Sequence, residues 1–320
     1  MATSSDARSR GDAPDVSIVI PLGRDSPYLR DAVASVRAQT FARWELVVVD
    51  NGATDPGAVN ELLADDLRMR IVSIDHRATA ARAQNVGVGA TSGDLITFLG
   101  DDDVWVPERL EKQVAVHAAN PQAPASYCAL WYMDANGEPF GSPWRSRQAS
   151  SSEMIRGAAP TPFGGTLMVT RNAWSAVGGF SPEVPTLEDF ELPLRLAMLG
   201  DLIYVDETLY GYRRHDHNLT STNPEDVALR RMVMDRMIVR QRWAAEARGD
   251  EEVARWYRER LHRYRRDQSR QAGVAVLRNL RRSHARIALA DTAWGATHAP
   301  IDFARGLGST LARKLRRRSE

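Results

Sequence analysis

The stretch Leu95–Leu110, LITFLGDDDVWVPERL, decides how this chain reads. "LITFL" is short, apolar and β-prone, the pattern of a buried strand. Gly100 interrupts it, and Asp101, Asp102 and Asp103 then stand side by side. Adjacent carboxylates repel one another, so keeping them ionised costs free energy unless a positive charge offsets it. The cluster therefore either caps the helix that Pro107 opens or holds a divalent cation, and all-oxygen ligation suits Mg2+ or Mn2+. Its place after a buried strand, opposite a second strand-end aspartate at Asp50, favours the cation. Two or three carboxylates would leave coordination positions for substrate phosphate and water.

The same pattern extends outward. "VSIVI" (16–20) reads as a strand ended by Pro21, and a helix follows with Ser26 as its cap and Pro27 at its first position. "WELVVVD" is a strand ending at Asp50, and "NGATD" is a turn. A weaker helix over 57–66, the strand "RIVSI" and a helix over 79–90 lead to LITFL. Four alternations of strand and helix within 120 residues predict an α/β fold, a mostly parallel sheet with helices on both faces. Ligands bind beyond the carboxyl ends of such strands, so Pro21, Asp50 and the aspartate cluster should face one crevice. Farther on, "ASYCALWYM" and "GGTLMVTR" read as strands, 142–161 as a mobile loop, and 188–199 as a helix.

With 320 residues, 43% hydrophobic and 26% charged, the chain reads as soluble and globular, large enough for two domains. One cysteine, Cys128, excludes an internal disulfide and a cysteine-based zinc site. The polar start predicts a disordered tail over 1–14 with no secretory signal, and no apolar run approaches the roughly 20 residues of a membrane span. A cytoplasmic location is expected, with peripheral contact to the inner face of the cell membrane as a further option. The formal net charge of +1 conceals a division. Residues 1–223 carry 19 basic and 29 acidic side chains, and residues 224–320 carry 23 basic and 12 acidic. The expected organisation is a compact domain over 15–222 and a basic, mainly helical extension over 223–320. That extension either packs on the acidic body or pairs two subunits as a homodimer, with Arg313–Arg318 free to touch anionic lipid. Nucleic acid is not an expected partner, because no binding module accompanies the basic residues.

"VSIVIP", "SVRAQTFARWELVVVDNGATD", "AQNVGVGATSGDLITFLGDDDVWVPERL" and "TLEDFELPLRL" resemble, in this order and spacing, the family 2 glycosyltransferases. The resemblance covers about Val16 to Thr220. It implies the GT-A fold, a Rossmann-like nucleotide-binding sheet, and metal-dependent, inverting transfer from a UDP-, GDP- or dTDP-sugar to an acceptor hydroxyl. Glycan, polysaccharide or glycosylated-metabolite biosynthesis is the implied setting. By the resemblance Asp50 contacts the nucleotide base, Asp101 the ribose, and Asp102 the metal, while Asp103 either supports the metal or caps the next helix. Pro21, Arg82, Asn85 and Gly165 would border the donor. His215 would close over the metal or the diphosphate, with Arg213 or Arg214 on phosphate oxygens. Asp189 would be the general base and Glu188 its alternative. The chain departs from the family pattern at Asn51-Gly52-Ala53, at Gly100 and at Gln84, where Asp-Gly-Ser, an aspartate and an arginine are usual.

Inverting transfer needs one side chain to take the acceptor's proton as its oxygen attacks the anomeric carbon, and no covalent nucleophile. Trp105, Trp131 and Trp144 either stack on a sugar or belong to the core. A nucleotidyltransferase is the rival enzyme, but "PLGRDSPYL" has one glycine and no lysine where that class tends to carry a phosphate loop. A non-catalytic nucleotide-sugar-binding scaffold would have no need of the aspartates or the base.

Overall fold

The computed structural model describes residues 14–53, 55–74, 78–156, 158–182, 188–216, 218, 224–281 and 284–319. The chain divides into two compact units, Met1–Asn218 and Leu219–Glu320.

The first unit contains β1 (Val16–Leu22), α1 (Leu29–Arg37), β2 (Trp44–Asp50), α2 (Pro56–Leu63), β3 (Met69–Ser73), α3 (Ala80–Gly89), β4 (Leu95–Phe98) and β5 (Val104–Trp105). It continues with α4 (Arg109–Ala119), β6 (Ala125–Met133), β7 (Pro139–Trp144), α5 (Ser151–Ile155), β8 (Met168–Thr170), α6 (Arg171–Val177), α7 (Glu188–Ala197) and β9 (Ile203–Arg213). The sheet order is β3-β2-β1-β4-β8-β6-β9-β5, with β7 paired to β6. The first four strands are mutually parallel, β8 joins antiparallel to β4 and β6, and β6 and β9 are parallel. The fold is the expected α/β architecture.

The apolar runs of β1 and β2 are explained by burial on both faces. Ile18, Ile20, Leu46 and Val48 belong to one core cluster with Leu29, Val33 and Val36 of α1 and Val59 and Leu63 of α2. Val19 and Val49 face the other way and lie so close to Gly87 of α3 that a Cβ there would overlap them. Helix starts follow local chemistry. The Asp55 carboxylate caps α2 ahead of Pro56, and the Thr79 hydroxyl caps α3.

Three expectations need correction. Pro21 does not end β1, which continues to Leu22; Pro21 sits in register with Val49 near the strand's end. Ser26 does not cap α1, whose cap position is Tyr28; the Ser26 hydroxyl instead donates to the Asp101 carbonyl at 3.0 Å. The segment 142–161 is not one irregular loop. It completes β7 and forms α5, whose first turn is closed by a reciprocal capping box between Ser150 and Glu153.

The second unit is helical: α8 (Pro224–Ala247), α9 (Glu251–Arg281), α10 (Ala285–His298) and α11 (Pro300–Ser319). Gly249, at φ 73°, makes the left-handed turn between α8 and α9. Gly273 of α9 and Gly306 of α11 allow those helices to touch, since a Cβ at either would strike the other's backbone. A buried ion pair, Arg231 to Asp291 at 2.5 Å, is completed by Asn279 donating to Asp291 at 2.9 Å. No helix among the described residues is long and apolar enough to cross a membrane.

Candidate active site

Parallel pairing sets the carboxyl ends of the central strands side by side. Leu22 is in register with Asp50, and Leu99, just past β4, donates its amide to Val19 of β1. The turn after β4 therefore emerges beside the loop that leaves β1.

The three aspartates have distinct surroundings. Asp103 is buried, and both of its oxygens are taken: one accepts from the Tyr210 hydroxyl, the other from the Arg213 amide at 2.8 Å. Burial pushes its pKa up, the neighbouring Asp102 charge adds to this, and the two hydrogen bonds oppose it. Asp102 Oδ2 meets His215 Nε2 at 2.9 Å and Asn218 Nδ2 at 3.4 Å. Asp101 Oδ2 is buried and has no hydrogen-bond partner. Its pKa is pushed up to about 6, first by burial and then by Asp102, with Arg24 pulling it back. A buried carboxylate oxygen without a donor is costly, and a cation or a donor-bearing ligand would relieve it. The residues present thus fit a divalent cation through Asp101 and Asp102, whereas Asp103 is committed to β9. No three His, Cys, Asp or Glu side chains among the described residues form a ready-made cage.

Arg213 holds this corner together. Its Nε donates to the Asp102 carbonyl at 2.8 Å, one Nη pairs with Asp31 at 3.0 Å, and the other reaches the Ala135 carbonyl at 3.2 Å. The guanidinium lies 4.4 Å from the centre of the Tyr28 ring, whose other neighbour is His215, 5.1 Å between centroids. Arg213 is therefore bound within the fold, contrary to the expectation of a phosphate contact.

Asp50 is buried at the end of β2, and its Oδ1 accepts from the amides of Gly52 and Ala53 at 3.1 and 2.8 Å. This closes the NGA turn, while Asn51 clamps the backbone of Ala78 ahead of α3 through both amide atoms. Asn85 makes the same kind of double bond to the backbone of Phe180, at 2.8 and 2.9 Å, so it anchors that loop. Arg82 is exposed on α3. Gly165 is tight against the Tyr210 ring, for which its missing side chain makes room, and its carbonyl accepts from Arg109 at 2.8 Å. Trp105 is buried under the Arg109 guanidinium at 4.0 Å and is core. Glu188 and Asp189 open α7, and their side chains lie outside the described residues.

Sequence reasoning missed Tyr28, Tyr210 and Arg109. Arg109 is wholly buried, bonded to Gln113, Thr97 and the Gly165 and Leu167 carbonyls, and lies 5.3 Å from the Tyr210 ring centre. No local pattern marks an arginine at the start of an amphipathic helix as buried.

Residues 17–173 match the family model described as Glycosyl transferase family 2. The chain is 30% identical over 209 residues to the O-antigen biosynthesis protein RfbC of Myxococcus xanthus, a match covering 62% of this chain and 16% of that one. It is 32% identical over 105 residues to UDP-Glc:alpha-D-GlcNAc-diphosphoundecaprenol beta-1,3-glucosyltransferase WfgD of Escherichia coli, covering 33% and 42%. It is 27% identical over 215 residues to the putative teichuronic acid biosynthesis glycosyltransferase TuaG of Bacillus subtilis, covering 65% and 82%. The first two matches thus span less than half of those relatives. The fold is similar to that of S. aureus TarS 1-349 in complex with UDP-GlcNAc, at a TM-score of 0.58 and 16% identity over 70% of this chain and 66% of that one. The similarity to glycosyl transferase family 2 thus lies in the amino-terminal unit, over residues 17–173.

Proposed function

We propose that this protein moves a sugar from a nucleotide-diphosphate sugar to an acceptor hydroxyl, with inversion, in the assembly of a surface polysaccharide. The observation that carries the reading is Asp101 Oδ2, buried, unpartnered and next to Asp102 at the carboxyl end of β4. A divalent cation, Mn2+ or Mg2+, held there would offset the charge that develops on the departing nucleoside diphosphate. His215 and Asn218 fix the orientation of Asp102 through their contacts to its Oδ2. Asp50, at the end of β2 on the far side of β1, is the proposed contact to the nucleotide base, in a turn that its own carboxylate closes. Asp189, at the first turn of α7, is the proposed base that accepts the hydroxyl proton as the oxygen attacks, with Glu188 as the alternative. The polysaccharide setting rests on the names of RfbC and TuaG.

The test measures thermal stability with UDP, GDP or dTDP, with and without Mn2+ or Mg2+, and then hydrolysis of a panel of sugar nucleotides. Stabilisation by one nucleotide only when metal is present is expected, together with slow hydrolysis of its sugar. Asp189→Asn should bind that nucleotide normally while transfer falls by about 10²–10⁴-fold. Near-normal turnover in that variant would remove Asp189 as the base. Nucleotide binding indifferent to metal would sink the metal assignment.

A further inference from the structure

The second unit contains a cavity of about 550 Å3 where α9 faces the junction of α10 and α11. Four arginines line it, Arg258, Arg265, Arg266 and Arg305, with His262 and His298, against a single carboxylate, Asp302. The arginines are not equally engaged. Arg265 donates through Nε and one Nη to the two oxygens of Asp235, at 2.6 and 2.9 Å, and Arg258 pairs with Glu246 at 2.9 Å and Glu251 at 3.5 Å. Those three acids lie outside the cavity lining. Arg266 and Arg305 share Asp302, through one nitrogen each at 3.2 and 3.4 Å, and neither has a second acidic partner among the described residues. One carboxylate thus serves two guanidiniums over long contacts.

The corner formed by Arg266, Arg305 and Asp302 carries a surplus positive charge within a unit whose residues 224–320 hold 23 basic and 12 acidic side chains. His298 is stacked on Trp294, 4.4 Å between centroids, and its Nδ1 is bound to the Trp294 carbonyl at 2.8 Å, so its ring is fixed at the cavity wall. Leu261, Pro300 and Ile301 add an apolar margin, and Ile301 is 69% exposed. Planar guanidiniums arranged around a cavity of this size suit the oxygens of a phosphate or diphosphate better than any neutral ligand.

We propose that this cavity binds a phosphate or diphosphate group, bridged by Arg266 and Arg305, with Asp302 holding the two guanidiniums in place when the ligand is absent. The phosphate belongs either to a lipid headgroup, whose apolar part would meet Ile301, or to a free phosphorylated molecule. The proposal is independent of the sugar-transfer reading, because none of its residues belongs to the first unit.

The experiment titrates the full-length protein with inorganic pyrophosphate by calorimetry, in EDTA and at low salt, so that no metal-dependent binding contributes. Wild type should bind. Arg266→Gln with Arg305→Gln should weaken binding by at least about tenfold, since two charge-assisted contacts are lost. Asp302→Asn should tighten it by about threefold or more, because a competing carboxylate charge is removed. An unchanged melting temperature in Asp302→Asn keeps the test valid should the double variant fold poorly. No binding by wild type, or equal binding by wild type and both variants, would overturn the proposal. Sedimentation with phosphatidic acid vesicles, compared with phosphatidylcholine alone, identifies the source. Vesicle binding lost in the double variant assigns a lipid headgroup, and pyrophosphate binding without vesicle binding assigns a free phosphate.

Discussion

Two buried carboxylates lie at opposite ends of the same sheet, and they are treated in opposite ways. Glu45, next to the start of β2, accepts from the Ser17 hydroxyl at 3.0 Å, from the Ser92 amide and hydroxyl at 2.6 and 3.2 Å, from the Gly93 amide at 3.2 Å and from Arg70 at 3.0 Å. Burial alone would raise its pKa, but the Ser92 amide, Arg70 and Ser17 outweigh burial and hold it below the usual range. Asp101, past the end of β4, has one oxygen with no partner and a pKa pushed up to about 6. The fold satisfies the acid it uses as a staple and leaves an oxygen of Asp101 unsatisfied past the end of β4. That contrast sets Asp101 apart from Glu45 without reference to motif.

The contrast can be broken at several points. The largest effect should come from Asp102→Ala, which is expected to cut sugar transfer by about 10²–10⁴-fold and to abolish metal-dependent stabilisation by the nucleotide. Glu45→Gln should leave those two readouts near wild type, and an equal loss in both variants would erase the distinction. On stability the order reverses. Glu45→Ala strands the Ser17, Ser92 and Gly93 donors and should cost about 2–4 kcal/mol in urea unfolding.

Asp101→Asn should stabilise the metal-free protein at pH 7.5 by about 1–3 kcal/mol, measured in EDTA. The sign follows from the direction of the shift. Folding favours the protonated acid, so native stability is complete below 3.8 and declines as pH rises through about 6. The gain from asparagine should therefore disappear near pH 4. Glu45 behaves in the opposite sense, because its lowered pKa makes its contribution fall away on acidification. The smallest effect should be at the exposed Arg145–Asp206 pair, 2.9 Å apart, where Arg145→Ala should change unfolding free energy by less than about 1 kcal/mol.

The parallel half of the sheet was legible because each of its strands is a short, continuous apolar run bounded by turn residues. The strand-end positions of Asp50 and Asp101–Asp103 followed from that. The division of labour among the three aspartates did not, because Asp103 is claimed by Tyr210 and Arg213, more than 100 residues away. Asn85 and Gly165 were similarly opaque, since Phe180 and Tyr210 reach them only in the folded chain. The helix α5 is a different case. Its Ser150–Glu153 capping box was present in the sequence, but the polar composition around it read as loop. Pro21 sits inside a central strand because it falls at the penultimate position of β1, where losing one amide costs little pairing.

The dependence of the acidic turn on β9 has a consequence for synthesis. Tyr210 and Arg213 belong to the final strand of the first unit, yet they secure Asp103 and the Asp102 carbonyl near its midpoint. A nascent polypeptide that has not yet emerged beyond Arg213 therefore lacks the clasp for its own aspartates. The acidic turn is therefore fixed only once the ribosome has delivered nearly the whole sheet, and truncated translation products would carry it without the Tyr210 and Arg213 contacts.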